Sequence, residues 1–391
     1  MGEAHCVGHS GKAAAAAAAT AAATAQRRRH RVQLAAAAGL LLLLLAASDL
    51  ASQLPRLDSS GGRETIPGRV AALFRPREAS AAARLAERRR KEQQMTAWRP
   101  PHDRRVAFVH KSADPITLRG LRAAQLAKQQ VEAAGGWYVF VYSLYPSSLP
   151  EGTGLPASER QRMTLNALRD ALGDESVVVI GREQVVAALG EGVLGAYKRL
   201  LTKQMRQKKW AWSTNDVVDI TWHEQYGAAL PSWAEQVWSV ELDVAWTGNI
   251  VDALLMTVNT TNADWVAYET EPSTRRWFWH TCHNWLERGQ EWKSYRHAAR
   301  YSRRLLRAIA AEMRRGRVQC DELTAPSICM LSPEWCVVDA GWQPGHPAAG
   351  WDPRTGEDLY RWDALITPEQ WDAVLRASPA GSSKLYHKIK W

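Results

Sequence analysis

The stretch Trp238-Ser239-Val240-Glu241-Leu242-Asp243-Val244-Ala245-Trp246-Thr247-Gly248-Asn249 starts as an apolar strand and runs into a Gly-Asn turn. Read as one strand from Gln236 to Val244, it places Glu241 and Asp243 two residues apart at its C-terminal end, so both carboxylates point to the same face. Ligands of open α/β sheets bind outside the carboxyl ends of the strands. A divalent cation carrying a nucleotide diphosphate needs hard oxygen ligands at such a place. An acid-x-acid pair also marks solvated strand edges. The apolar strand before it and the turn after it favour the ligand reading here.

The pattern on either side is alternating strand and helix from Arg104 onward, as an α/β domain requires. Strands are expected at Arg105 to His110, Trp137 to Tyr142, Val177 to Ile180 and Ala263 to Tyr268. Helices are expected from Leu118 to Ala133, from an N-cap at Ser158 through Leu172, from Leu194 to Lys209, after Ile250, and as one long basic helix from Trp292 to Arg314. Ser213 to Asp216 reads as a turn. Val177-Val178-Val179-Ile180 is apolar on both faces, as buried parallel strands are. From Pro333 the chain is loop-rich and closes on Lys384-Leu385-Tyr386-His387-Lys388.

Ahead of this domain the composition changes three times. Residues 1–31 are Ala-rich low complexity ending in the basic cluster Arg27 to Arg31, and read as a disordered cytoplasmic tail. Within 32–48 lies an apolar run of about 14 residues, Leu34 to Ala47, apolar on every face. Its length matches the apolar region of a signal peptide. The long tail and the arginines before it favour an uncleaved single-span signal anchor with the rest of the chain in the lumen, and cleavage would give a secreted chain. Residues 49–103, rich in Ser, Gly, Pro and Arg, read as a stem, and 104–391 as the luminal domain.

Of the 391 residues, 46% are hydrophobic, which is enough for a large core and excludes a disordered chain. The net charge of +10 owes much to arginines before residue 105, so it is no argument for nucleic acid, and no nucleic-acid partner is expected. Tryptophans number 19 against four phenylalanines, a choice that suits flat sugar or base rings as well as a packed core. Trp277 to Trp285, with His280 and His283, is read first as packed aromatic core and second as an acceptor platform. Cys282, Cys320, Cys329 and Cys336 can form two disulfides in an oxidising compartment, with connectivity open, and lack a zinc spacing. Asn259-Thr260-Thr261 is a glycosylation sequon. No Gly-rich phosphate loop follows a strand, which counts against a sulfotransferase.

The block from Trp238 to Asn249 resembles the Glu-Asp-Asp-Val-x-x-Thr-Gly-Asn signature of a group of glycosyltransferase-like type II membrane proteins from algae and other protists. Asp264-Trp265-Val266-Ala267-Tyr268, Trp277 to Trp285, Arg300-Tyr301-Ser302-Arg303 and Leu385-Tyr386-His387 fit the same picture, over residues 104 to 391. The resemblance implies a Rossmann-like GT-A fold with a central, mostly parallel sheet flanked by helices, preceded by the anchor and stem. It implies a Golgi glycosyltransferase that uses Mn2+ or Mg2+ to grip a nucleotide-sugar donor and serves a glycan, glycolipid or glycoprotein acceptor. Carried over, Asp243 is the first metal ligand, Glu241 contacts metal or nucleotide, and His387 is a third ligand, the alternative being a surface histidine in a frayed tail. Lys388 and Lys390 would hold phosphates. Glu322, then Asp321, is the candidate base, an acidic pair that would also suit a helix N-cap. The family more often has an acid where this chain has Leu242, which opens a second reading: a degenerate domain that binds glycans or acts as a scaffold.

Overall fold

The computed structural model describes residues 103–144, 159–204, 214–361, 364–379 and 381–389, with a few positions between 83 and 101. The expected tail, anchor, nearly all of the stem, Ser158, Lys209 and Lys390 lie outside the described residues. Among the described residues no helix is long and apolar enough to cross a membrane.

The chain runs β1 (Ala107–Ser112), α1 (Leu118–Ala133), β2 (Trp137–Ser143), α2 (Glu159–Leu172), β3 (Val177–Ile180), α3 (Arg182–Leu189), α4 (Glu191–Gln204), α5 (Asn215–Tyr226), β4 (Gln236–Glu241), β5 (Ala245–Thr247) and α6 (Ile250–Met256). It continues with β6 (Trp265–Pro272), β7 (Trp292–Ser302), α7 (Arg303–Arg314), α8 (Asp321–Met330), β8 (Val338–Asp339), α9 (Pro368–Ala377) and β9 (Lys384–Tyr386). Seven strands form one sheet in the order β3-β2-β1-β4-β7-β6-β8. Neighbours from β3 to β4 are parallel, β7 runs antiparallel to β4 and β6, and β8 is parallel to β6. The expected α/β class with a central, mostly parallel sheet flanked by helices is therefore what the chain forms.

Successive residues of a strand face opposite ways, and the core divides accordingly. Val109, Val139, Val141 and Ile180 pack with α3, α4, α5, α7 and α8 on one face. Phe108, Phe140, Tyr142 and Val240 pack with α1, α2 and α6 on the other. Helix α1 is capped by Thr117, whose side chain accepts from the Gly120 amide, and it lays Gly120, Ala123, Ala124, Ala127 and Val131 on the sheet. Helix α7 is capped by Ser302 and buries Leu305, Leu306, Ile309, Ala310 and Met313, with its arginines turned outward. Disulfides join Cys282 to Cys320 and Cys329 to Cys336, fixing the connectivity left open by the sequence.

Three expectations are corrected. Trp292 to Arg314 is not one helix, because its first half is strand β7, paired with both β4 and β6. Lys293, Arg296, His297 and Arg300 mimic the polar stripe of a helix by spacing. In the strand that spacing has no helical meaning, and Arg296 reaches buried acids. Asn215 and Asp216, expected in a turn, open helix α5, in which every residue from Asp216 to His223 is buried, so no exposed polar face marked it as helical. Strand β4 ends at Glu241: the Val244 amide bonds back to the Glu241 carbonyl, 3.0 Å away, and Ala245–Thr247 leaves for a separate two-stranded sheet with β9. Glu241 and Asp243 therefore do not share a strand face. A turn separates them.

Candidate functional site

Strand β4 brings Glu241 to the end of the parallel part of the sheet, where it lies opposite Lys111 of β1. Val240 pairs with Ala298 across the antiparallel partner, so the next residue on each side, Glu241 and His297, meet. His297 Nδ1 lies 3.1 Å from a Glu241 oxygen, and Asn215, at the start of α5, donates its amide to the other oxygen at 2.5 Å. The C-terminal tail supplies the rest. Strand β9 pairs with β5, with Ala245 opposite Tyr386, which carries His387 onto His297. Glu241, His297 and His387 each offer a ligand atom within 4.8 Å of the others, an arrangement able to hold a metal ion. His387 Nε2 is 3.7 Å from Asp243 Oδ1, and Lys388 Nζ is 3.9 Å from Asp243 Oδ2.

The donor set fits a divalent cation on its own chemistry. Asp243 Oδ1 and His297 Nε2 are both buried without a hydrogen-bond partner, a costly condition for polar atoms that have nothing to bind. Burial raises the Glu241 pKa, but the hydrogen bond and charge of His297, followed by the charge of Lys111, outweigh it and hold the carboxyl below its ordinary range. Burial, and then the Glu241 charge, push Asp243 up to about 6. Burial, reinforced by His297, drives His387 well below the usual imidazole range, so it stands neutral with a lone pair to give.

Beneath these groups lies a buried ionic lattice. Asp219 of α5 pairs with Lys111 at 2.9 Å and with Arg296 of β7, and accepts from Ser239 Oγ at 2.8 Å. Arg296 also holds Asp321 at 2.7 Å. Asp216, one turn from Asp219, accepts from Thr324 Oγ1 at 2.6 Å and from the Tyr197 hydroxyl at 3.2 Å. This lattice ties β1, β4, β7, α5 and α8 into one rigid floor.

It also separates the two acids considered as a base. Asp321 is buried and tied to Arg296, whereas Glu322 is half-buried and makes no side-chain hydrogen bond among the described residues. Burial, then the charges of Asp321 and Glu241, push the Glu322 pKa well above the ordinary range.

The structure thus gathers Glu241, Asp243, His387 and Lys388 at one place, with His387 buried rather than frayed. It also shows partners that the sequence did not reveal: His297, Asn215, Lys111, Asp219 and Arg296. A strand reading of 292–302 would have put His297 in the sheet, and the antiparallel register of the assembled sheet then sets it against Glu241. Leu242 is built into the core beside α1, where its Cδ2 lies 3.4 Å from where a Cβ on Gly120 would sit. Trp279 is buried, and Trp277 and Trp285 pack against the core, in keeping with the aromatic-core reading. His283 finds Glu291 at 3.4 Å. Asn259 of the sequon is exposed, its backbone amide donating to Asp339 at 2.6 Å.

No protein-family model and no curated protein matches the chain. Among solved structures it is similar to PaToxG glycosyltransferase, at 9% identity and a TM-score of 0.28 over 66% of this chain and 80% of that one. It is also similar to the apo form of mouse xyloside xylosyltransferase 1, at 11% identity and a TM-score of 0.29 over 71% of this chain and 96% of that one. Likeness at this level assigns no family, and the functional reading rests on the site.

Proposed function

We propose that the chain is a metal-dependent glycosyltransferase that moves a sugar from a nucleotide-sugar donor to a glycan, glycolipid or glycoprotein acceptor. The observation that carries this reading is the convergence of Glu241, His297 and His387, with Asp243 beside them, where the parallel strands end. A bound Mn2+ or Mg2+ would neutralise the leaving diphosphate. Glu241, Asp243 and His387 would hold it, and Lys388 would sit by the phosphates. Glu322 is the residue assigned to take the proton of the attacking acceptor hydroxyl, since Asp321 is engaged by Arg296. The reading extends to a type II Golgi membrane protein, supported by the basic tail, the apolar run and the stem-like segment of the sequence.

A second reading, a glycan-binding or scaffold domain without turnover, is favoured by one feature: the position where an acid is expected, Leu242, is built into the core. The two part on donor binding. The full-length chain in detergent is melted with a panel of nucleotide sugars, with and without Mn2+ or Mg2+, beside Asp243→Ala. A metal-dependent rise in Tm with one nucleotide, lost in Asp243→Ala, supports the enzyme. No rise with any nucleotide in folded protein turns the assignment to the scaffold.

A further inference from the structure

Two histidines at the site are wired alike. His297 Nδ1 faces a Glu241 oxygen at 3.1 Å, and His387 Nδ1 faces the Arg361 carbonyl at 3.4 Å. An imidazole facing an atom that can only accept keeps an N–H on that nitrogen, so Nε2 is the ring atom of each left to bind a metal. His297 Nε2 is buried without a hydrogen-bond partner, and His387 Nε2 turns toward Asp243. Hydrogen-bond acceptors facing Nδ1 in this way set which ring nitrogen of a metal-binding histidine is free to ligate. Meanwhile Leu242 is built into the apolar core beside α1, so an acid in its place would be buried among apolar side chains. The donor that a third acid would have supplied comes across the sheet instead.

We infer that His297 is a metal ligand in its own right and that the pair His297 and His387 makes this a site for a first-row transition-metal dication in preference to Mg2+. The inference rests on reading the cluster as a metal site and goes further in naming the ion class and the residue that sets it. Mg2+ demands near-octahedral oxygen donors and gives up water reluctantly. Imidazole suits Fe2+, Ni2+ or Zn2+ best and Mn2+ accepts it more readily than Mg2+ does, so two imidazoles beside two carboxylates offer nitrogen that Mg2+ uses poorly.

The test is metal binding on the full-length chain with no sugar nucleotide present, read by electron paramagnetic resonance of Mn2+. Pulsed spectra of bound Mn2+ are expected to show two imidazole nitrogens in the native protein and one in His297→Ala. Mg2+ at ~100-fold excess is expected to leave Mn2+ bound, whereas Co2+ displaces it. His297→Ala is expected to weaken Mn2+ by at least the ~10–100-fold that loss of an outer partner costs. His297→Asp is expected to narrow the Mn2+ to Mg2+ ratio by about as much. One imidazole nitrogen in the native protein, or Mg2+ displacing Mn2+ on equal terms, overturns the role of His297 and leaves the metal-site reading standing. Absence of any divalent binding by the native chain overturns both. The nitrogen count and the Mg2+ competition are read on the native protein, so misfolding of a variant does not decide the matter.

Discussion

The imidazole rings of His297 and His387 lie face to face, their centroids 3.4 Å apart and their planes 11° from parallel. One ring belongs to the central sheet and the other to the C-terminal tail, so the site exists only while the tail stays docked. Beside its ladder with β5, the tail packs on Gly350, whose amide donates to the Leu385 carbonyl at 2.6 Å and whose position leaves no room for a side chain: a Cβ there would fall 2.1 Å from the Tyr386 ring. Tyr386 is the neighbour of His387.

Gly350→Ala is therefore expected to push Tyr386 aside, lift His387 from His297 and weaken Mn2+ binding by roughly the ~10–100-fold of a lost metal-site contact. The melting temperature falls with it. Gly192→Ala is the matching control, since nothing lies within 4 Å of its Cβ position, and it is expected to leave Mn2+ binding unchanged. Calorimetric titration of both variants with Mn2+ checks this. Equal affinity in Gly350→Ala and the native chain would mean that the tail tolerates the clash and that the site does not depend on it.

The lattice under the site makes an unequal prediction for its two cations. Arg296 serves both Asp219 and Asp321, while Lys111 serves Asp219 alone. Lys111→Met leaves Asp219 paired with Arg296 and with the Ser239 hydroxyl. Arg296→Met strips Asp321 of its salt bridge altogether, and breaking a buried pair in that way costs about 3–5 kcal/mol. Urea unfolding is expected to rank Arg296→Met clearly below Lys111→Met. The reverse order would place the weight of the lattice on β1 rather than on β7.

Asp216 gives the pH dependence a sign. Burial, and next the charge of Asp321, raise its pKa from 3.8 to about 7. The folded chain thus keeps a proton that the unfolded chain has released, and the stability this confers is full below pH 3.8 and drains away as pH rises to about 7. Over some three pH units this amounts to on the order of 4 kcal/mol. Asp216→Asn cannot ionise, and its amide oxygen can still accept from Thr324. The difference in stability between native and variant chains is expected to move steadily in the variant's favour from pH 4 to 7 and then level off. His110, driven down to about 3 by burial, acts in the opposite sense, destabilising the fold as pH falls below 6.5. It is common to both chains and cancels in the difference. A difference that is flat with pH would mean that Asp216 is ionised in the fold.

What could be read from the residues follows a physical line. β1, β2, β3 and α1 were legible because each has a single clear pattern: a short β-branched or aromatic run, or small apolar residues along one helical face. α5 and β7 were not, because both are buried over most of their length and carry charges whose partners sit on other elements. Asp219 is matched by Lys111 and Arg296, none of them near it in the chain. In the site, Glu241, Asp243 and His387 came from a local acid-x-acid pair and a resemblance in the tail. His297 is brought in by strand register alone, and register appears only when the sheet is assembled.

Glu322 and Asp321 are adjacent in sequence yet differ in what they are free to do, and activity separates them. Asp321 is locked to Arg296, so Asp321→Asn removes a buried charge partner and is expected to lower stability first, with turnover falling as a consequence. Glu322 has no such bond among the described residues, and burial, then the charges of Asp321 and Glu241, raise its pKa well above the ordinary range, so that its carboxylate, once ionised, is a stronger base than a free one. Glu322→Gln keeps the shape and removes the proton exchange. It is expected to bind Mn2+ and nucleotide sugar like the native chain, to melt at a similar or higher temperature, and to lose turnover by about 10²–10⁴-fold. Nucleotide affinity and kcat, measured on the same preparation, decide the assignment. A Glu322→Gln variant with native turnover would leave no carboxylate of this pair able to serve as the base, and the acceptor proton would have to leave by another route.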